Sequence, residues 1–436
     1  MEWLGAVPRD WEVRPLKRVA DFINGAAFKP SEWAESGIPI IRIENLNGGE
    51  NFNHFLGDLN PRYIVEPGDL LFGWSGNRGT SFGPYIWSKE GRYALNQHIF
   101  RVVFDDLDPQ WFFWSLVAVT SHVEDQAHGI IGMVHVTKSD LGAIKIPFPS
   151  EREQHLIAAF LDRETAKIDG LVAEQEKLIA LLKVKRQAVI AHAVTKGLDP
   201  AVQLKDSRVE WLGEVPVHWQ VNRVKHFVNS FNQGWSPQCE SFSVVSEDEW
   251  GVLKVGCVNG GIFNPEENKS LPTDLDPLPE LGIRKGDLLI SRANTRELVG
   301  SAAVALRDYP NLLLCDKLYR LRLDNVATSA EFVAYYLSIG QVRGQIELSA
   351  SGASSSMVNI SQATILELVI ALPTDKEQRE IVAFIESEQT QLNALISEAL
   401  QAIALLKERR TALITATVTG QIDVRGLVKD EQEQAA

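Results

Sequence analysis

Ser150-Glu151-Arg152-Glu153-Gln154, followed six residues later by Phe160, returns as Thr374-Asp375-Lys376-Glu377-Gln378, followed six residues later by Phe384. Each stretch is an S/T-x-x-E capping box placed directly after a proline, Pro149 or Pro373. In such a box the hydroxyl accepts from the amide three residues on, and the carboxylate reaches back to the cap amide. Neither arm meets another proline before Gly197 or Gly420, so the spacing predicts two helices of about 45 residues, roughly 65 Å each. Ile168, Leu171, Leu178, Leu182 and Val189 recur at steps of three and four, interrupted by Gln175 and Lys185. Leu392, Leu395, Ala399, Ala402, Leu406 and Leu413 do so in the second arm, with Arg409 as the exception. This is the pattern of a helix-helix seam.

The arms belong to a larger repeat. Glu2-Trp3-Leu4-Gly5-Ala6-Val7-Pro8 with Trp11 recurs as Glu210-Trp211-Leu212-Gly213-Glu214-Val215-Pro216 with Trp219. Gly68-Asp69-Leu70-Leu71 recurs as Gly286-Asp287-Leu288-Leu289, Leu181-Leu182-Lys183 as Leu405-Leu406-Lys407, and Val194-Thr195 as Val418-Thr419. The arms align without a gap, whereas the segments before them differ in length and share scattered residues. The first arm runs into the second Glu-Trp-Leu-Gly, and the second arm leads back towards the first. The sequence therefore reads as a circle cut before one Glu-Trp-Leu-Gly, with neighbouring ends and antiparallel helices.

The remaining segments are mixed. Strand-like runs are Ile38 to Ile43, Leu70 to Phe72, Ile99 to Val103 and Ile144 to Phe148, with counterparts at Leu253 to Val258, Leu288 to Ile290, Leu318 to Leu323 and Leu366 to Leu372. Short helices are expected at Pro109 to His122 and Ala330 to Gly340. The fold class is α/β (α+β): two globular domains joined by two long antiparallel coiled-coil helices, an internal pseudo-two-fold circular repeat. The expected division is 1–149, helix 150–197, 198–373, helix 374–420 and an acidic tail 421–436.

The 436 residues are 45% hydrophobic and 23% charged, an ordinary globular balance. No apolar run reaches the roughly 18 residues of a membrane span, and Met1-Glu2-Trp3-Leu4-Gly5 is not a secretory signal. Three dispersed cysteines, Cys239, Cys257 and Cys315, point to a reducing cytoplasm and against a disulfide framework or zinc site. The net charge of −14 does not advertise nucleic-acid binding. There is no phosphate-cradling G-x-x-x-x-G-K-[ST], no H-E-x-x-H and no ligand spacing among nine histidines. Asn60-Pro61-Arg62-Tyr63 resembles the Asn-Pro-Pro-Tyr of adenine methyltransferases, but Arg62 replaces the second proline and no glycine-rich cofactor loop accompanies it. No catalytic residue, metal site or bound cofactor is expected.

A non-catalytic binder with diversified copies points to the polar stretches after each Gly-Asp-Leu-Leu. In the first copy the candidates are Trp74, Ser75, Asn77, Arg78, Thr80 and Ser81; in the second, Ser291, Arg292, Asn294, Thr295 and Arg296. Arginine pairs with guanine, asparagine with adenine, and hydroxyls suit phosphate oxygens. Ser354 and Ser355, in the Ser-Gly run Ser349 to Ser356, are candidates for lying along a phosphate strand. The acidity predicts a modest phosphate contribution and help from partners. A coiled-coil scaffold with peptide-reading ends, or a fused methyltransferase or nuclease, are the competing readings of the same features.

Taken together, the Glu-Trp-Leu-Gly-x-Val-Pro-x-x-Trp opening, the Gly-Asp-Leu-Leu strand, the Ile146-Pro147-Phe148-Pro149 entry into Glu153-Gln154 and the Val194-Thr195-Lys196-Gly197 ending resemble type I restriction-modification specificity subunits. The resemblance covers nearly the whole chain. The second copy departs at Ala371-Leu372-Pro373-Thr374 and at Thr419-Gly420, which lacks the lysine. The resemblance implies two target recognition domains, each reading half of a split, asymmetric site in double-stranded DNA, with the helices as a ruler. It also implies docking of two adenine-specific methyltransferase subunits and two translocase-nuclease subunits, with S-adenosylmethionine, ATP and magnesium on those partners. A cytoplasmic location and no membrane association go with it.

Overall fold

A computed structural model describes residues 3–77, 79–126, 133–244, 246, 248–324, 328–354 and 357–427. Both boxes start helices where expected: the first long helix is Glu151–Lys196 and the second Asp375–Val418. In the first, the Ser150 amide and hydroxyl donate to Glu153 at 3.1 and 2.7 Å. In the second, the Glu377 amide donates to the Thr374 hydroxyl at 3.4 Å. No helix among the described residues is long and apolar enough to cross a membrane.

The chain forms two compact units, Met1–Lys177 with Ala399–Ala436, and Leu178–Glu398. Each contains the start of one long helix and the end of the other. The first unit's core takes Ile157 and Leu161 from the first helix and Ile414 and Val418 from the second. The second unit's core takes Ile381 and Ile385 from the second helix and Ile190 and Val194 from the first. The helices are antiparallel within each unit: Arg410 grips Asp169 through two bonds of 2.9 and 3.3 Å, and Arg186 donates to Asn393 at 3.3 Å.

The seam lies one residue away from part of the expected pattern. Its stripe is Leu161, Thr165, Ile168, Val172, Ile179, Leu182, Arg186 and Val189 on the first helix, and Leu392, Ile396, Ala399, Ile403, Leu406, Arg410 and Leu413 on the second. Of the expected seam residues, Ile168, Leu182 and Leu392 are buried and Val189, Leu406 and Leu413 half-buried. Leu171, Leu178 and Leu395 are neither: they are 47, 41 and 47% exposed. One residue turns a helical side chain by roughly 100°, so Val172, Ile179 and Ile396 take their places.

The sheets repeat as the sequence does. In the first unit a four-stranded sheet has the order Asp21–Asn24, Ile99–Val103, Leu70–Gly73, Gly83–Ile86; in the second the order is Val228–Gln233, Leu318–Leu323, Leu288–Ser291, Ala302–Val304. Each has a companion sheet with one parallel pair, Tyr93–Leu95 on Ile38–Ile41 and Tyr309–Leu313 on Gly251–Leu253. The expected run Ile38 to Ile43 is a strand only as far as Ile41, and of the expected run Leu253 to Val258 only Leu253 is strand, the last residue of Gly251–Leu253. A helix takes over at Ile43 and a 3-10 segment at Val255, because Asn45 and Gly260–Gly261 turn the chain. Helix Pro109–Gln126 covers the first sheet with Trp111, Phe112 and Leu116 buried; Ala330–Ser338 covers the second with Phe332 and Tyr336.

The repeated motifs are brackets. Trp11 Nε1 donates to Glu153 at 3.2 Å, and Trp219 Nε1 to Glu377 at 3.0 Å. Gln154 accepts from the Asp108 amide and donates to the Pro149 carbonyl; Gln378 accepts from the Ser329 amide and donates to the Pro373 carbonyl. The same tryptophans pack on the glycines ending the opposite helices. Gly197 has φ +77° and Gly420 +74°, and a Cβ at Gly420 would sit 2.5 Å from Pro8 and 2.9 Å from Trp11. Gln421 donates to the Leu4 carbonyl at 3.4 Å, which closes the circle within the first unit.

Candidate nucleic-acid interface

Each Gly-Asp-Leu-Leu begins as a turn. Gly68 and Gly286 take φ +93° and +84°, and the aspartates accept from Glu66 and Arg284 amides, both at 2.9 Å. The following leucines are buried in the sheet, so the strand is fixed on both faces and its far end is delivered to one place. That far end is not a loop in either unit. Ser75–Asn77 pairs with Met133–His135, and Ala293–Asn294 pairs with Met357–Asn359, which pairs in turn with Ser351–Ser354.

In the first unit Trp74 stacks on Phe100 at 5.7 Å, meets His135 edge-on at 4.8 Å and lies 5.5 Å from His98. Its Nε1 donates to the Gln97 carbonyl at 3.0 Å. Ser75 is half-buried, and Asn77 is exposed. Thr80 is exposed and its hydroxyl donates to the Asn77 carbonyl at 3.3 Å. Thr80 also lines a cleft of about 420 Å3 with Tyr85, Glu124, Lys407 and Arg410. There burial, aided by Glu124, pushes the Tyr85 hydroxyl up to about 12. Ser81 is a correction: it is 3% exposed, and its hydroxyl accepts from the Asn77 amide at 2.6 Å. It shapes the turn and is closed to a ligand. Arg78 lies outside the described residues.

In the second unit Ser291 is likewise corrected, being fully buried at the end of its strand. Arg292 is half-buried and donates to the Asp316 carbonyl at 3.3 Å. Asn294 donates to Asn259 at 3.4 Å and accepts from the Thr295 amide at 2.9 Å. Thr295 and Arg296 are exposed, and Arg296 reaches the Glu347 carbonyl at 3.4 Å. Ser354 ends the strand Ser351–Ser354, and Ser355 lies outside the described residues. The part Ser351–Ser354 is thus paired backbone, whose amides are partly committed to the ladder and not all offered to phosphate.

Sheet pairing brings in residues that the linear reading passed over: His98 and His135 beside Trp74, and Lys317 and Asn359 beside Arg292. Their signal in the sequence was their place just before Ile99 and Leu318 and at the end of Met133–His135 and Met357–Asn359. The strand pairing was needed to use it. The two edges offer rings, amides, hydroxyls and cations at a surface, the repertoire of base and phosphate contacts.

Residues 8–179 match the type I restriction modification DNA specificity domain. The chain is 32% identical over 173 residues to the type I restriction enzyme EcoEI specificity subunit of Escherichia coli, a match covering 40% of this chain and 29% of that relative. It is 25% identical over 427 residues to the MjaVIII specificity subunit of Methanocaldococcus jannaschii, covering 97% and 95% of the two chains. Among solved structures, a chain from "Structural basis underlying complex assembly and conformational transition of the type I R-M system" shares the fold at TM-score 0.68 and 18% identity. That match covers 96% of this chain and all of the other. Together these matches make the chain similar, in its first part by sequence and over its length by fold, to type I restriction-modification specificity subunits.

Proposed function

We propose that this chain is the non-catalytic DNA-recognition component of a type I restriction-modification complex, each unit reading one half of a bipartite, asymmetric site in double-stranded DNA. The observation that carries this reading is the duplicated sheet edge. One backbone arrangement occurs twice and carries different polar residues each time, which suits two half-sites of different sequence. The long helices set the number of bases between the halves. They also carry the methyltransferase and restriction subunits, which hold S-adenosylmethionine, ATP and magnesium in the cytoplasm.

Exposed apolar side chains on the helices support the docking role. Leu171, Leu178, Leu181 and Val184 on the first, and Phe384, Leu395, Leu400 and Leu405 on the second, are 39 to 66% exposed. Apolar surface of this kind marks a place where another protein packs. Leu181→Glu combined with Leu405→Glu is expected to abolish co-purification of the methyltransferase subunits while the melting temperature of the chain holds. Retained co-purification would refute docking on these faces. The reading function is tested by mapping methylation in a host that carries the chain with its cognate methyltransferase subunits. The expected result is one two-part site with unlike halves; a site-independent pattern would refute it.

A further inference from the structure

Resting on the DNA-reading function proposed above, the duplicated edge allows a finer assignment. We infer that three equivalent positions in each unit set base preference: Trp74, His98 and His135 in the first, and Arg292, Lys317 and Asn359 in the second. Their equivalence is fixed by the backbone and not by side-chain likeness. The Trp74 amide donates to the His98 carbonyl at 3.3 Å, and the Arg292 amide to the Lys317 carbonyl at 2.8 Å. The Trp74 carbonyl accepts from Val136 at 3.0 Å, and the Arg292 carbonyl from Ile360 at 3.0 Å. Even the side-chain anchor is shared: Trp74 Nε1 bonds the Gln97 carbonyl, and Arg292 Nη1 bonds the matching Asp316 carbonyl.

Around these positions the two copies keep their chemistry. Ile99 and Leu318, Val136 and Ile360, and Leu71 and Leu289 are all apolar and buried. At the three positions themselves nothing is kept. A tryptophan stands against an arginine, a histidine against a lysine, and a histidine against an asparagine. His98 and His135 are exposed, while Trp74, Arg292, Lys317 and Asn359 are half-buried at the end of the sheet. Unlike side chains carried on one backbone arrangement are what a duplicated reader needs in order to read two different sequences.

The chemistry of the two trios points to different bases. Arginine has five donors, of which the Asp316 carbonyl takes one here. Arginine and lysine donate to guanine O6 and N7, and asparagine pairs with adenine N6 and N7, so the second trio suits purine edges in the major groove. The first trio is three rings, suited to apolar contact with a thymine methyl and to single hydrogen bonds from imidazole.

The test is selection from a duplex library with both half-sites randomised, using the full chain in complex with its cognate methyltransferase subunits. His98→Lys is expected to change the preferred base at one or two positions in one half-site, by roughly tenfold or more. Lys317→His and Asn359→His should do the same only in the other half-site. Should His98→Lys melt lower than the parent, the smaller His98→Gln repeats the measurement. Parental preferences kept at every position, or weakening of all sequences alike, would overturn the assignment. A parent complex that shows no sequence preference would overturn the DNA-reading function as well, so the two failures are distinguishable.

Discussion

The two units solve one folding problem with the same parts and one electrostatic problem with different ones. Both hang an inner strand of the four-stranded sheet on a Gly-Asp-Leu-Leu turn, and in both an arginine on the neighbouring strand approaches that aspartate. In the first unit Arg101 stands 3.6 Å from Asp69, each side chain 26% exposed, and Arg101 Nη1 donates to the Ile64 carbonyl at 2.7 Å. In the second, Asp287 and Arg320 are 1 and 3% exposed, and Arg322 adds a two-bond grip on Asp287 at 2.6 and 3.2 Å. Arg320 itself donates to the Gly282 and Glu280 carbonyls. Burial foremost, and then the Arg322 charge, push its guanidinium below its ordinary value, while Asp287 pulls it back up. A repeat thus preserves the place of a contact without preserving its surroundings, and the surroundings determine its energetic weight.

That contrast sets the largest expected effect. Asp287→Ala leaves Arg320 buried beside Arg322 without its carboxylate, and breaking a buried pair costs about 3–5 kcal/mol. Asp69→Ala removes a partly hydrated pair and the turn acceptor of Glu66, a loss of about 1–2 kcal/mol. Urea unfolding of the two variants measures the difference; equal shifts would break the comparison between the units. A second comparison concerns the seam. Ile179→Ala removes a buried side chain and should cost about 2–4 kcal/mol, while its exposed neighbour Leu178→Ala should stay within about 0.5 kcal/mol. The opposite ranking would restore the seam phase that the leucine spacing suggests.

What the sequence made legible, and what it hid, follows from the range of each interaction. The long helices, their caps and the circular order rest on local signals: a capping box, a terminal glycine and a gap-free repeat. The strand runs at Ile99 to Val103 and Leu318 to Leu323 were visible for the same reason. The seam phase was ambiguous because apolar residues occupy two adjacent phases, Leu171 and Leu178 on one, Val172 and Ile179 on the other. Only the position of the partner helix selects between them. Ser81 and Ser291 were misjudged because a serine can serve a ligand or a turn equally well, and burial decides which. The histidines and lysine beside Trp74 and Arg292 were out of reach, since strand pairing joins positions up to about 65 residues apart in the chain.

The smallest effect sharpens the comparison of the two helix starts. Glu153 closes its capping box on Ser150 and also accepts from Trp11. Partial burial raises its pKa, but the hydrogen bonds from Ser150 and Trp11 outweigh this and hold the carboxyl below its ordinary value of 4.5. A depressed carboxylate contributes stability that is fully present above its unfolded value and is lost as pH falls through the folded one. The stability of the first unit should therefore decline below about pH 4.5 in part through Glu153. Glu153→Gln should remove that part of the acid limb and lower stability at neutral pH by about 1 kcal/mol, as a weakened cap does. Melting temperatures of the parent and variant between pH 3 and 7 measure both. The curves should converge as the acid limb is descended, because the parent loses there what the variant never had. Curves that stay parallel to pH 3 would mean that Glu153 holds the helix start by packing and not by charge.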